Sequence, residues 1–204
     1  MTIVLIRHAE TALNAARTLQ PFETPLSARG HEQAARLAER AARQWRPALI
    51  VSSDAPRAWQ TAEPMAARCA LEIIADPGLR ERDFGVLRGQ PYDALAVDPL
   101  SMDEAPPGGE SRAAFHDRTI GTFERLLDRA RAFPAADLIV VSHGLWIRNV
   151  IEARFLAEWS ARAPLALGNT SVTLVDVGPP VRLLLAGCTA HLDPGLAPRG
   201  IAGL

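Results

Sequence analysis

Three short clusters in the chain combine residue types that can hold and transfer a phosphoryl group. They are Arg7-His8, Ser52-Ser53 followed by Arg57, and Ser142-His143-Gly144. Arginine offers a planar, permanently charged fork that matches phosphate oxygens in pairs. Histidine can be a nucleophile when neutral or a donor when protonated. All 22 basic residues are arginine, so any cationic side-chain contact to phosphate must come from Arg or His. Each cluster alone is a weak signal. Arg-His pairs occur by chance, and an arginine on a helix usually faces solvent. The clusters matter only if the chain brings them together.

The elements between them suggest that it does. Thr2 to Ile6 is a short apolar, β-branched run, read as a buried strand that delivers Arg7 and His8 at its carboxyl end. Residues 9–24 are irregular and polar. Ser27 then caps a helix with Ala34, Leu37, Ala38, Ala41 and Trp45 at helical spacing. Pro47 breaks it, and Ala48 to Ser52 is a second strand. Pro56 opens a helix running to about Arg68. Leu71 to Ala75 reads as a third strand. From Asp76 to Gly109 periodicity is lost among prolines and glycines. Glu110 to Arg131 is a long helix, Leu138 to Ser142 a fourth strand, and a further helix begins near Leu145. Residues 172–177 and 181–186 form two more strands around a Gly178-Pro179-Pro180 turn, and a tail from Pro194 is expected to be poorly ordered. Alternating strands and helices imply an α/β fold, a three-layer α/β/α sandwich with a mostly parallel central sheet. Residues 1–204 read as a single domain with a loop-rich lid at about 83–112. Ligands of such sheets sit beyond the strands' carboxyl ends, where the three clusters converge.

Composition narrows the function. A formal net charge of −1 gives no global attraction to nucleic acid or to an anionic membrane, so neither is expected as a partner. Cys69 and Cys188 form no CxxC pair or zinc-spaced cluster, and they read as small buried residues of a reducing compartment. The N-terminal apolar run is too short for a signal peptide or a membrane span, which makes a cytoplasmic location the expectation.

The segments together resemble the histidine phosphatase superfamily, also called phosphoglycerate mutase-like. LIRHAETALN resembles its signature, with Arg7, His8, Glu10, Thr11 and Asn14 in matching places. PLSARGHEQAARL is similar to the following helix, SSDAPRAWQTA to the segment carrying Arg57, and LRERDFG to the segment carrying an acid, here Glu81. PPGGES and VVSHG, the latter with His143, match two further blocks. The resemblance spans Ile3 to about Leu192. It implies a nucleophilic His8 oriented by the carbonyl of the next residue. That residue is Ala9, where glycine is commoner in the family, and a positive φ there would be strained. The chain also has Leu87-Arg88-Gly89 where Trp-Glu-Gly is frequent. An arginine at that place could either favour a more anionic substrate or face solvent.

The physical chemistry fits that resemblance. A transferring phosphoryl group carries negative charge on three equatorial oxygens, so catalysis is mainly positioning and electrostatics. Arg7, Arg57, His143 and the amide of Asn14 are the expected phosphate-binding groups, and no metal or other cofactor is required. Glu81 is the expected proton donor to the leaving group and base for water, with Asp83 as a possible substitute. His31 and His116, on helix surfaces, read as structural or solvated, and His191 as structural. Glu110 and Ser111 read as helix caps, and Trp45, Trp59 and Trp159 as packing. Phe22, Phe84, Leu87, Tyr92 and Trp146 are the expected mouth, favouring an apolar leaving group.

The expected function is therefore hydrolysis of small phosphate esters through a phosphohistidine. The alternatives are a phosphoglycerate mutase and a catalytically silent binding module. A mutase would need extra cations for a second anion. Here the lid has Arg88 as its one cation before Arg112, against Asp93, Asp98, Asp103 and Glu104. The complete set Arg7, His8, Arg57, Glu81 and His143 speaks against the silent module. Either a monomer or a homodimer is compatible with the sequence.

Overall fold

A computed structural model describes residues 1–159 and 165–197. Its centre is a six-stranded sheet in the order β3-β2-β4-β1-β5-β6. The strands are β1 (Thr2–Arg7), β2 (Pro47–Ser52), β3 (Ile73–Ala75), β4 (Asp137–Ser142), β5 (Val172–Asp176) and β6 (Arg182–Cys188). The β1–β4, β2–β4 and β2–β3 pairs are parallel, whereas β5 runs antiparallel to both β1 and β6. The mostly parallel sheet and the closing hairpin both match the expectation.

Alternation along the strands divides the core into two layers. Ile3, Leu5, Leu138 and Val140 face one side, where they pack against α4 (Arg112–Arg131) and α5 (Gly144–Trp159). Val4, Ile6, Ile139 and Val141 face the other, against α2 (Ala28–Gln44) and α3 (Pro56–Cys69). Successive residues of a strand point to opposite faces, so an unbroken apolar run demands cover on both. The result is a three-layer α/β/α sandwich.

Several boundaries moved. The polar stretch after His8 contains a one-turn helix, α1 (Ala12–Ala15), with Thr11 and Asn14 forming a reciprocal cap. The third strand starts at Ile73 rather than Leu71. The long helix begins at Arg112, with Ser111 as its cap, so Glu110 lies outside it. Trp45 terminates α2 rather than extending it. The segment after β3 holds three single-turn 3₁₀ helices at Pro77–Leu79, Gly85–Leu87 and Tyr92–Ala94. It is pinned to the loop after α1 by Leu19 N–H to Gln90 O, Gly89 N–H to Leu19 O and Tyr92 N–H to Arg17 O.

The tail expectation needs correcting for residues 195–197. Arg29 Nη2 donates to the carbonyls of Gly195 and Ala197, both at 2.7 Å, and Gln33 Nε2 donates to Leu196 O at 2.9 Å. These backbone groups have found partners on α2, which satisfies their hydrogen-bonding demand. Residues 198–204 lie outside the described part. Cys69 and Cys188 are half-buried rather than buried, and both are free thiols. No helix among the described residues is long and apolar enough to cross a membrane.

Candidate active site

The carboxyl ends of β1, β2 and β4 deliver the three clusters to one place. His8 N–H bonds Ser142 O at 2.9 Å, and Ser53 N–H bonds Val141 O at 2.9 Å. These bonds continue the sheet ladder by one residue, so His8, Ser53 and His143 leave it in fixed directions. The His8 and His143 rings lie 5.2 Å apart, centroid to centroid. Arg57 comes from the first turn of α3, where Pro56 pre-sets the helical φ.

His8 is buried, and its Nδ1 lies 2.7 Å from Ala9 O. A carbonyl can only accept, so Nδ1 carries the hydrogen and Nε2 keeps its lone pair. Burial, then Arg57 and Arg7, hold the imidazole well below its usual range of protonation. Ala9 does not take a positive φ, so the alanine is accommodated without the anticipated strain. Its methyl packs with Leu26 and Ala34 instead, and its N–H donates to Thr61 Oγ1 at 2.9 Å. Gly30 is required nearby for a different reason. A Cβ there would stand 2.1 Å from Glu10 O, so α2 could not approach the loop.

Arg7 and Arg57 are almost wholly buried, and burial lowers both guanidinium pKa values to about 10. Arg7 Nη1 donates to Leu167 O. Arg57 Nη1 reaches the carbonyls of Pro21 and Phe22 at 3.2 and 3.3 Å, while its Nε has no partner among the described residues. His143 Nε2 contacts Ser53 Oγ at 2.9 Å, and its buried Nδ1 has no partner among the described residues. Burial and then Arg57 hold the His143 imidazole well below its usual range of protonation. These surroundings disfavour the protonated His143 expected from the sequence unless a negative charge lies beside it.

Glu81 stands at the start of α5. Its Oε2 accepts from Leu145 N–H at 3.0 Å and its Oε1 from Trp146 N–H at 3.1 Å. Burial raises its pKa despite these donors and the two nearby arginines. Asp83 is engaged elsewhere. It accepts from Gly85 N–H at 2.7 Å and pairs with Arg88 at 3.0 Å. That pair accounts for Arg88, whose place in the sequence left two readings open.

Asn14 Oδ1 receives Asn169 Nδ2 at 3.2 Å, which leaves the Asn14 amide hydrogens available. Asn169 Nδ2 also donates to His8 O at 3.1 Å. Asn169 escaped the sequence reading, as did Thr170, whose N–H reaches Arg7 O and His8 O at 3.1 and 3.3 Å. Thr170 holds φ at +55°, which is rare for a β-branched residue and tends to occur beside functional sites. An Asn-Thr pair in a loop gives no periodic signal, and only its position between α5 and β5 marks it.

These groups open into a cavity of about 1500 Å³. Its walls include Phe22, Phe84 and Tyr92, as expected, but neither Leu87 nor Trp146. Trp146 is fully buried and donates its indole N–H to Gly78 O at 3.0 Å. In its place the wall carries Arg17, Arg80, Arg82, Arg88 and Arg118, so the mouth is far richer in cations than the sequence suggested. His31 and His116 are exposed, and His191 is held by Thr170 and Arg40 with its pKa lowered to about 4, mainly by burial. The side chain of Trp159 lies outside the description.

Known proteins bear on this arrangement. The family model for the histidine phosphatase superfamily (branch 1) matches residues 3–185. "Phosphoglycerate mutase-like protein 4" of Arabidopsis thaliana is 33% identical over 98% of this chain and 91% of its own. "Probable phosphoglycerate mutase GpmB" of Salmonella paratyphi C is 32% identical over 95% of each. Among solved structures, a mycobacterial glucosyl-3-phosphoglycerate phosphatase superposes with a TM-score of 0.75 at 28% identity, covering 92% of this chain and 99% of that one. A phosphoglycerate mutase from Bacillus anthracis shares the fold, with a TM-score of 0.80 at 24% identity over 94% of each chain. The neighbours thus include both phosphatases and mutase-like proteins, and the chain belongs to the histidine phosphatase superfamily.

Proposed function

We propose that the protein is a metal-independent phosphohydrolase of small phosphate esters that works through a phosphohistidine on His8. One observation carries the reading: the Nδ1–H of His8 is tied to Ala9 O, so a neutral Nε2 is left beside buried Arg7 and Arg57. In the first step Nε2 attacks phosphorus and the ester P–O bond breaks. The arginines and the amide of Asn14 take up charge on the equatorial oxygens, joined by His143 as the phosphate raises its proton affinity. Glu81, whose carboxyl burial shifts towards the acid form, gives its proton to the leaving alkoxide. In the second step the resulting carboxylate takes a proton from water. The hydroxide displaces Nε2, and inorganic phosphate leaves.

His8→Ala should lower activity more than about 10³-fold, since the covalent route needs the nucleophile. Stopping turnover in alkali should trap base-stable phosphate on His8. Phosphate found on a serine or aspartate would sink the mechanism. EDTA should leave the rate unchanged, and loss of activity restored by Mg²⁺ or Zn²⁺ would remove "metal-independent" from the proposal.

A mutase is the second reading, favoured by the similarity to the two mutase-like relatives above. Supplying 3-phosphoglycerate with a trace of the 2,3-bisphosphate separates the two. Net phosphate release supports hydrolysis, and rapid isomerisation with little release supports the mutase.

A further inference from the structure

The five arginines around the outer cavity look at first like a site for a second anion. Their partners say otherwise. Arg88 is bound by Asp83 at 3.0 Å. Arg118 is held by both oxygens of Glu110, at 2.9 and 2.8 Å. Arg80 is gripped by both oxygens of Asp54 and lies over the Phe22 ring. Arg82 has no carboxylate partner among the described residues, but its Nε and Nη2 donate to the carbonyls of Glu110 and Glu104 at 3.1 and 3.3 Å, and it lies over Phe84. Arg17 is within 3.8 Å of Asp93. Glu23 and Asp98 line the same space. A cation already paired with a carboxylate offers an incoming anion little, because binding would first break that pair or place like charges together.

We infer that the outer cavity selects phosphomonoesters whose leaving group is uncharged and large, and that Asp83 is a specificity-determining residue because it neutralises Arg88. This rests on the phosphoryl-transfer reading above and adds to it the chemical class of the substrate. The size follows from the cavity, at about 1500 Å³. That exceeds the ordinary range of roughly 300–1,000 Å³ for small-molecule sites, so a phosphoryl group fills little of it. Phe22 and Tyr92, both half-buried, leave partly exposed aromatic surface in the wall, whereas Phe84 is buried beneath Arg82.

The probes are 1-naphthyl phosphate and 3-phosphoglycerate, which share the phosphoryl group and differ in the charge of the remainder. Wild type should show the higher kcat/KM for naphthyl phosphate. Asp83→Asn keeps an acceptor for Gly85 N–H but removes the charge. It should shift the kcat/KM ratio about threefold towards 3-phosphoglycerate, in line with a partly exposed pair. Adding Arg88→Gln should return the ratio, which assigns the gain to the freed guanidinium. A wild-type preference for 3-phosphoglycerate, an unchanged ratio in Asp83→Asn, or a ratio that the second substitution leaves shifted would each overturn the inference. Calorimetric binding to His8→Ala separates it from the hydrolase reading. If wild type turns over neither probe, the hydrolase reading falls. Tighter binding of naphthyl phosphate by His8→Ala would still support this one, and equal or tighter binding of 3-phosphoglycerate would overturn it.

Discussion

The two halves of the cavity treat charge in opposite ways. At its floor, Arg7 and Arg57 are buried, and Arg57 Nε and His143 Nδ1 have no hydrogen-bond partner among the described residues. In the outer half four of the five arginines face a carboxylate. Leaving a buried donor unsatisfied costs about 1–3 kcal/mol. In the proposed mechanism the phosphoryl oxygens would satisfy these buried polar atoms of the floor. In the outer half every arginine but Arg82 is already paired with a carboxylate, an arrangement that suits a neutral guest. Seven arginines line one cavity, yet in the proposed mechanism only the two at its floor bind the phosphoryl dianion.

The contrast is tested hardest at Glu81, which stands where floor and outer half meet. Glu81→Gln removes the proposed proton donor and base, and should cost about 10²–10⁴-fold in kcat for an alkyl phosphate. The loss should be smaller for a p-nitrophenyl ester, whose leaving group needs no proton. The pH profile gives a second check. The Glu81 pKa is raised, so the acid form survives to higher pH than an ordinary carboxyl and is lost as pH climbs through the raised value. The His8 pKa is lowered, so the neutral nucleophile persists as pH falls below the usual histidine range. Glu81→Gln should therefore remove the alkaline fall in kcat/KM and leave the acid limb. An equal loss for both esters with an unchanged profile would make Glu81 a packing residue.

A smaller effect is expected one step back from the floor. Asn169 ties His8 O and Asn14 Oδ1 together through a single amide nitrogen. Asn169→Ala should lower kcat about tenfold with little change in KM, because it loosens the aim of groups that remain present. Asn169→Ser, with one donor, should recover part of the loss. A variant whose only defect is a higher KM would show that Asn169 merely lines the cavity.

The legibility of the molecule follows the same division. Strand termini were readable because Val4, Leu5 and Ile6 or Ile139, Val140 and Val141 form buried runs whose ends place Arg7, His8 and His143 by geometry alone. The α/β/α layering followed from that same alternation. Glu81 was reached through resemblance, since nothing in its own neighbours Arg80 and Arg82 separates it from a surface ion pair. Its contact with Leu145 N–H depends on a turn of the chain that has no period. The outer cavity was misread for a related reason. Trp146 looks like a mouth aromatic by its nearness to His143, but it follows Leu145, which does line the cavity, and one residue along a helix rotates a side chain by about 100°. That rotation sends it into the core beside Leu79. Partners such as Arg118 and Glu110, or Arg80 and Asp54, meet only after folding, so their mutual neutralisation is invisible in a list of charges.

The smallest effect is expected farthest from phosphorus, and it asks how far the floor extends. Arg29 Nη1 binds Glu10 at 2.8 Å while its Nη2 holds Gly195 O and Ala197 O. Glu10 lies two residues after His8, so the tail is mechanically linked to the nucleophile's loop. Two features keep that link from mattering much to the chemistry. His8 is fixed from the other side by Ala9 O, Asn169 and Thr170. Ser27 Oγ and Gly30 brace Glu10 independently, the first by a hydrogen bond at 3.1 Å and the second by close packing. Arg29→Lys preserves a positive charge for Glu10 but cannot reach three acceptors as a fork. Two lost hydrogen bonds at about 0.5–1.5 kcal/mol each should lower the Tm by roughly 2–12 °C for a chain of this size. The change in kcat should stay within about threefold. A drop in kcat beyond about tenfold with an unchanged Tm would reverse the expectation and make the tail part of the catalytic floor.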